Sequence, residues 1–268
     1  MTRDYVMDPH FAEERKRLSS MESLWDPGSR ALLDELGIGT GWKCLEVGAG
    51  GGSLVEWMAA CGAHVTAVDI DTRFIESLAS DSIEVRRVDI REDELPQAEF
   101  DLVHARLVLE HLSDRRDILD RLVATLRPGG WIVIEDYDWS CFGFEGESPG
   151  FSDIAELILG FMAKAGFERD YGRRVVSDIE AAGLTDIRGE GRARLIDSAS
   201  PGFDFFRLSF ESLRAAIVAA GLLSAEDADA AAAGFGHNGR LFTPMMMAGI
   251  GRRARSDNEI RCGGDTAP

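Results

Sequence analysis

Apolar and polar positions change their period along this chain. Residues 1–24 set Phe11, Leu18 and Met21 among charges, which predicts an amphipathic helix. Asp26-Pro27-Gly28 predicts its end, and Ser29 can cap a second helix over 30–36 that Gly37 stops. Short apolar runs then recur at 43–47, 64–70, 83–88, 100–105 and 131–137. Helical stretches at 53–61, 73–80 and 114–126 fall between them, and Pro128-Gly129-Gly130 predicts a turn. Strands alternating with helices at this spacing predict βαβ units and a parallel sheet. Beyond Trp139 the pattern predicts helices at 151–165, 174–182, 203–220 and 224–234, with strands at 184–195 and 242–251. The expected organisation is a helical lid over 1–36, an α/β core over 37–139, and a carboxyl-terminal part over 140–253. That last part carries a helical cap insertion at about 197–240, and 254–268 reads as a disordered polar tail.

The first strand ends in LEVGAGGGS, Leu45 to Ser53. A nicotinamide fingerprint wants a third glycine where Ser53 stands. An acid followed by alternate glycines, Glu46, Gly48, Gly50 and Gly52, instead suits a cationic ligand approached closely by bare backbone. Two more acids fall at the ends of the next strands. Asp69 is placed to hold ribose hydroxyls, with Asp71 as the alternative, and Asp89 is placed to accept from an adenine amino group. Ile70 and Ile90 can sandwich the ring.

Taken in order, these segments resemble the class I S-adenosylmethionine-dependent methyltransferases, in particular small-molecule members of natural-product and UbiE-like type. LEVGAGGGS resembles the first motif and VTAVDID the second-strand motif. VRRVDIREDELPQAEFDLVHARLVLEHL resembles the adenine aspartate, the fourth strand and the segment after it, and LRPGGWIVIEDYDW the final core motif. The resemblance implies a Rossmann-like, doubly wound seven-stranded sheet in order 3-2-1-4-5-7-6, with strand 7 antiparallel and a helical cap. It implies S-adenosyl-L-methionine as cofactor and S-adenosyl-L-homocysteine as product. Glu46, Gly48, Gly50 and Gly52 would line the methionine portion, Asp69 the ribose, and Ile70, Asp89 and Ile90 the adenine. Ala105 and Arg106 would pass the methionine part through their backbone, and Arg17 could reach the cofactor carboxylate.

Methyl transfer needs alignment and exclusion of water more than a fixed catalytic group. His111 in RLVLEHL is the candidate general base, set against a reading as a packing or capping residue. Its segment resembles that of phosphoethanolamine methyltransferases, where a histidine pairs with an amino-terminal tyrosine, which would be Tyr5. Glu135, Tyr137 and Trp139 follow strand 5 and would face the substrate.

Composition narrows the partners. A formal charge of −18 disfavours nucleic acid, and the chain lacks the NPPY-type motif of many nucleic-acid base methyltransferases. Four scattered cysteines suggest reduced thiols, and a polar start without membrane-length apolar runs suggests a cytoplasmic protein with no membrane partner. No metal is expected, because Arg106 occupies the place where catechol-type relatives hold a magnesium ligand. A small, apolar or aromatic substrate methylated at O, N or C is expected; Phe203, Phe205, Phe206, Phe210, Phe235, Phe242 and Met245-Met246-Met247 could line its pocket. The oligomeric state stays open, with a homodimer as one option. Two alternatives remain: a cofactor-using cyclisation or rearrangement on the same fold, and a nicotinamide oxidoreductase.

Overall fold

A computed structural model describes residues 12–145, 151–235 and 239–255. The strands are β1 (Lys43–Val47), β2 (His64–Asp69), β3 (Ile83–Arg87), β4 (Phe100–Arg106), β5 (Leu126–Asp138), β6 (Gly143–Phe144), β7 (Thr185–Arg192), β8 (Leu195–Ile196), β9 (Leu241–Phe242) and β10 (Met245–Arg252). The helices are α1 (Glu14–Glu35), α2 (Ser53–Ala60), α3 (Arg115–Thr125), α4 (Phe151–Ala163), α5 (Val175–Ala181), α6 (Phe203–Ala219) and α7 (Ala225–Gly234). Seven strands form one sheet in the order β3-β2-β1-β4-β5-β10-β7. β1 to β5 pair in parallel, and β10 is antiparallel to both β5 and β7. This is the expected topology.

Strand alternation divides the buried side chains between two layers. Cys44, Leu102, Val133 and Ala248 face α2 and the second half of α1, where Leu32, Leu33, Val55 and Met58 meet them. Leu45, Val47, Val103, Ile132 and Ile134 face α3 and α5. A third apolar cluster joins the first half of α1 to α6 and α7 through Trp25, Phe205, Phe206 and Phe235.

Four expectations about elements need correction. The break at Pro27 does not occur, and α1 runs through it. Tertiary ties outweigh the lost backbone bond there. Asp26 accepts from Arg106 at 2.9 Å, and the Ser29 hydroxyl bonds Glu135 instead of capping a helix. Residues 73–80 form only a three-residue 3₁₀ turn at Glu76–Leu78. Pro128-Gly129-Gly130 lies inside β5, where its pairing with β4 shifts register, and a Cβ on Gly130 would sit 2.8 Å from the Phe100 carbonyl oxygen. The two late strands are each divided. β7 and β10 belong to the large sheet, while β8 and β9 pair in a small second sheet, order β6-β9-β8.

Candidate active site

A cavity of about 320 Å³ opens at the carboxyl ends of the parallel strands, under α1, α4 and α6. One end is polar and glycine-lined. Gly48 and Gly50 line it with φ of +66° and +55°. A Cβ on Gly48 would lie 2.4 Å from Val108 Cγ2, so the turn admits no side chain there. Asp69 braces this turn: its carboxylate accepts the Gly50 and Asp71 N–H groups, each at 2.9 Å. Burial nonetheless raises its pKa. Asp89 lies on the same wall, and hydrogen bonds from Arg91 hold its carboxyl below the usual range. Ile70 and Ile90 also line this end.

The other end is apolar. Tyr137 and Trp139, from the end of β5, stand edge to face with centroids 5.3 Å apart. Trp139 meets Phe142 at 4.9 Å, and α4 and α6 add Ile158, Met162 and Phe206. The Tyr137 hydroxyl accepts the Trp25 indole N–H at 2.6 Å. Leu107, which follows β4 on the cavity wall, has φ +56°, a conformation that costs a bulky residue about 1–3 kcal/mol. Its N–H donates to the Glu135 carbonyl at 2.8 Å, which fixes it there.

His111 lines the cavity from the turn after β4, its ring 5.1 Å from Phe167. Burial and the nearby Arg17 charge push its pKa down to about 4, so the imidazole is neutral. Its Nε2 is 3.6 Å from Glu110 Oε1, and Glu110 also accepts the Tyr137 N–H at 2.9 Å. Burial and Asp136 push Glu110 well above the carboxylate range, and burial pushes Asp136 up to about 8.

Several residues singled out in the sequence lie elsewhere. Glu46, His104, Arg106 and Glu135 share the sheet face under α1. Glu46 bonds His104 Nδ1 at 2.7 Å, and His104 Nε2 is 3.2 Å from Glu135. Glu135 also pairs with Arg192 and Ser29. Glu46 and Glu135 are therefore buried partners of a polar network, outside the cavity lining. A Cβ on Gly52 would lie 2.4 Å from Leu78 and 2.9 Å from Ile75, so this glycine serves packing. Ala105 is fully buried on the opposite sheet face. Arg106 reaches the lining, but Asp26 and Ser29 hold its guanidinium. Arg17 lines the cavity but turns toward α6, near Ser209 and the Phe205 ring, whereas Arg15 bonds the glycine turn at the Gly51 carbonyl, 2.7 Å. Phe205, Phe206, Phe210 and Phe235 line the cavity, while Phe242 is exposed. Tyr5 lies outside the described residues. Reading the sequence did not single out Arg15, Phe142, Met162 or Ser209; the spacing of Phe206, Ser209, Phe210 and Leu213 on one helical face is the signal that marks part of this wall. Among the described residues no cluster of His, Cys, Asp and Glu is arranged to hold a metal ion, and no helix is long and apolar enough to cross a membrane.

A sheet in this order, with a glycine turn after β1 and acids after β2 and β3, defines the class I S-adenosylmethionine-dependent methyltransferase architecture. The chain belongs to the methyltransferase domain family, which matches residues 12–182. Methyltransferase str2 of Strobilurus tenacellus is 32% identical over 156 residues, 56% of each chain. A ubiquinone biosynthesis O-methyltransferase of Paracidovorax citrulli is 28% identical over 144 residues, 51% of this chain and 59% of that one. The chain spans about half the length of these relatives. Among solved structures, an S-adenosylmethionine-dependent methyltransferase from Mesorhizobium loti has a TM-score of 0.53 at 20% identity, over 87% of this chain and all of that one. Phosphoethanolamine N-methyltransferase 2 of Haemonchus contortus has 0.55 at 18%, over 85% and 53%. At these identities the structures speak for the fold.

Proposed function

We propose that this chain binds S-adenosylmethionine and transfers its methyl group to a small apolar or aromatic acceptor. The observation that carries the reading is one cavity with two contrasting ends, a glycine turn flanked by carboxylates and an aromatic compartment. The residues present fit the cofactor. Gly48 leaves backbone bare where a Cβ has no room, Asp69 presents a carboxylate, and Ile70 is 39% exposed beside it, a surface suited to a flat purine. Asp69 would hold the ribose, and Asp89, Ile70 and Ile90 the adenine. Bound there, the cofactor supplies an electrophilic methyl on a sulfonium, whose thioether is a good leaving group.

The chain's own part is alignment and exclusion of water. α1 acts as the lid of the cofactor end: Arg15 ties it to Gly51, and Leu18 lies 3.5 Å from the place of a Gly50 Cβ. Tyr137, Trp139 and Phe142 pack the acceptor in a dry compartment. Neutral His111 is placed to take a proton from an acceptor that carries one. The test is incubation with methyl-labelled S-adenosylmethionine and a panel of aromatic acceptors, followed by mass spectrometry. Labelled product with one equivalent of S-adenosylhomocysteine is the expected result. Substrate conversion without S-adenosylhomocysteine would replace this reading with a rearrangement on the same fold.

A further inference from the structure

The acceptor end of the cavity has two long walls. α4 sends Ile154, Ala155, Ile158, Leu159 and Met162 to the lining. α6 sends Phe205, Phe206, Ser209, Phe210 and Leu213. Both sets have the spacing i, i+1, i+4, i+5, i+8, which is one continuous face of a helix over two turns. At 1.5 Å of rise per residue, the first and last members of each set lie about 12 Å apart along the axis. Ser209 alone among these side chains carries a polar group.

The space between the walls is closed at both ends. Leu159 and Met162 of α4 join Leu213 of α6 and Phe167 in one buried cluster. The His111 ring lies 5.1 Å from Phe167, so this end adjoins the candidate base. At the other end α7 packs against both α4 and α6 and adds Ala231 and Phe235 to the lining. The Phe235 and Phe210 ring centroids are 6.1 Å apart. Ala155 on α4 and Ala231 on α7 are the least bulky apolar side chains of this wall.

We infer that the acceptor is elongated, a fused-ring, biaryl or chain-bearing molecule with an apolar body of about 12 Å, not a single small ring. The inference rests on the methyl-transfer reading above. A single ring covers about one turn of such a wall, 5.4 Å of rise. The second turn would then face space that nothing fills. Wall atoms there would lack contact partners, and water finds too few hydrogen bonds between apolar walls to replace them. An occupant that reaches the far end covers both turns, and each methylene it withdraws from water strengthens binding. The closed far end sets a length beyond which added carbon finds no room.

The test is calorimetric titration of the full chain saturated with S-adenosylhomocysteine, using phenol and a series of straight-chain 4-alkylphenols up to 4-nonylphenol. Affinity should rise about threefold per methylene until the molecule is about 12 Å long, near 4-pentylphenol, and then level off or fall. Ala155→Leu and Ala231→Leu should move the break to shorter chains and weaken 4-pentylphenol by about 10-fold. Each variant is first required to melt cooperatively and to bind S-adenosylhomocysteine. A break unmoved in both overturns the inference. If neither variant folds, the wild-type series decides. Phenol binding as tightly as 4-pentylphenol, an unbroken rise through 4-nonylphenol, or binding of none of the probes overturns it as well. Failure of S-adenosylhomocysteine itself to bind the wild-type chain instead overturns the methyl-transfer reading beneath it.

Discussion

The indole N–H of Trp25 donates to the hydroxyl of Tyr137 across 2.6 Å, and this bond joins helix α1 to the carboxyl end of β5. Both side chains are 1% exposed. Trp25→Phe leaves a buried phenol without its donor, which should cost about 1–2 kcal/mol. The expected result is a melting temperature lower by a few degrees. Because α1 also contacts the glycine turn through Arg15, affinity for S-adenosylhomocysteine should fall with it. Calorimetry at a temperature where both proteins are folded checks the second effect.

Asp69 accepts two backbone N–H groups and lines the glycine-bearing end of the cavity. Asp69→Asn should keep the fold and weaken S-adenosylhomocysteine binding by about 10-fold or more. Undiminished affinity would leave this acid a brace of the turn alone. Gly48→Ala combines a φ of +66° with a 2.4 Å approach to Val108. It should lower stability by about 1–3 kcal/mol and abolish binding, read from melting curves with and without ligand.

His111 is held neutral, its pKa pushed down to about 4 by burial and Arg17. Between its ordinary value, near 6.5, and about 4, the unfolded chain binds a proton that the folded chain refuses. Stability should therefore fall as pH drops through that window, by a contribution on the order of 2–3 kcal/mol. His111→Gln should remove that part of the decline. Thermal melts of both proteins at intervals from pH 7 to 4.5 measure it, and parallel curves would contradict a buried neutral imidazole.

Asp136 works in the opposite sense. Its folded pKa is pushed up to about 8 by burial, from an ordinary value of 3.8. Over that interval the folded chain holds a proton that the unfolded chain releases. Stability should fall as pH rises from about 4 through about 8. Asp136→Asn, which still offers an acceptor, should flatten the decline between pH 6 and 8.5. An unchanged slope would mean that Asp136 ionises normally in the fold.

The sheet and the glycine-lined end of the cavity were legible because both are written locally. Period, turn residues and the acids near the carboxyl ends of β1, β2 and β3 lie within short windows, and Gly48, Gly50, Asp69 and Asp89 all come to one cavity. What was not legible depends on partners distant in sequence. Pro27 reads as a breaker until Asp26 meets Arg106 and Ser29 meets Glu135. Glu46 and Glu135 read as site acids until β4 inserts His104 between them. Arg17 and Arg15 are two residues apart, about 200° around a helix, so the sequence alone does not say which faces the glycine turn. The positive φ of Leu107 has no compositional sign, since the residue types that favour it are glycine, asparagine and aspartate.

The placement of β10 bears on how the protein is made. It is the last strand described, yet it occupies the sixth position in the sheet, bonded on one side to β5 and on the other to β7. A nascent chain leaving the ribosome amino end first must carry β5 and β7 with facing edges open until Met245–Arg252 has emerged. Open edges are templates for pairing with other chains. Synthesis thus passes through a stage in which the glycine-lined end of the cavity is already translated while the sheet still lacks the strand that joins β5 to β7. Chaperones and proteases that act during that stage therefore bear on how much of the protein accumulates.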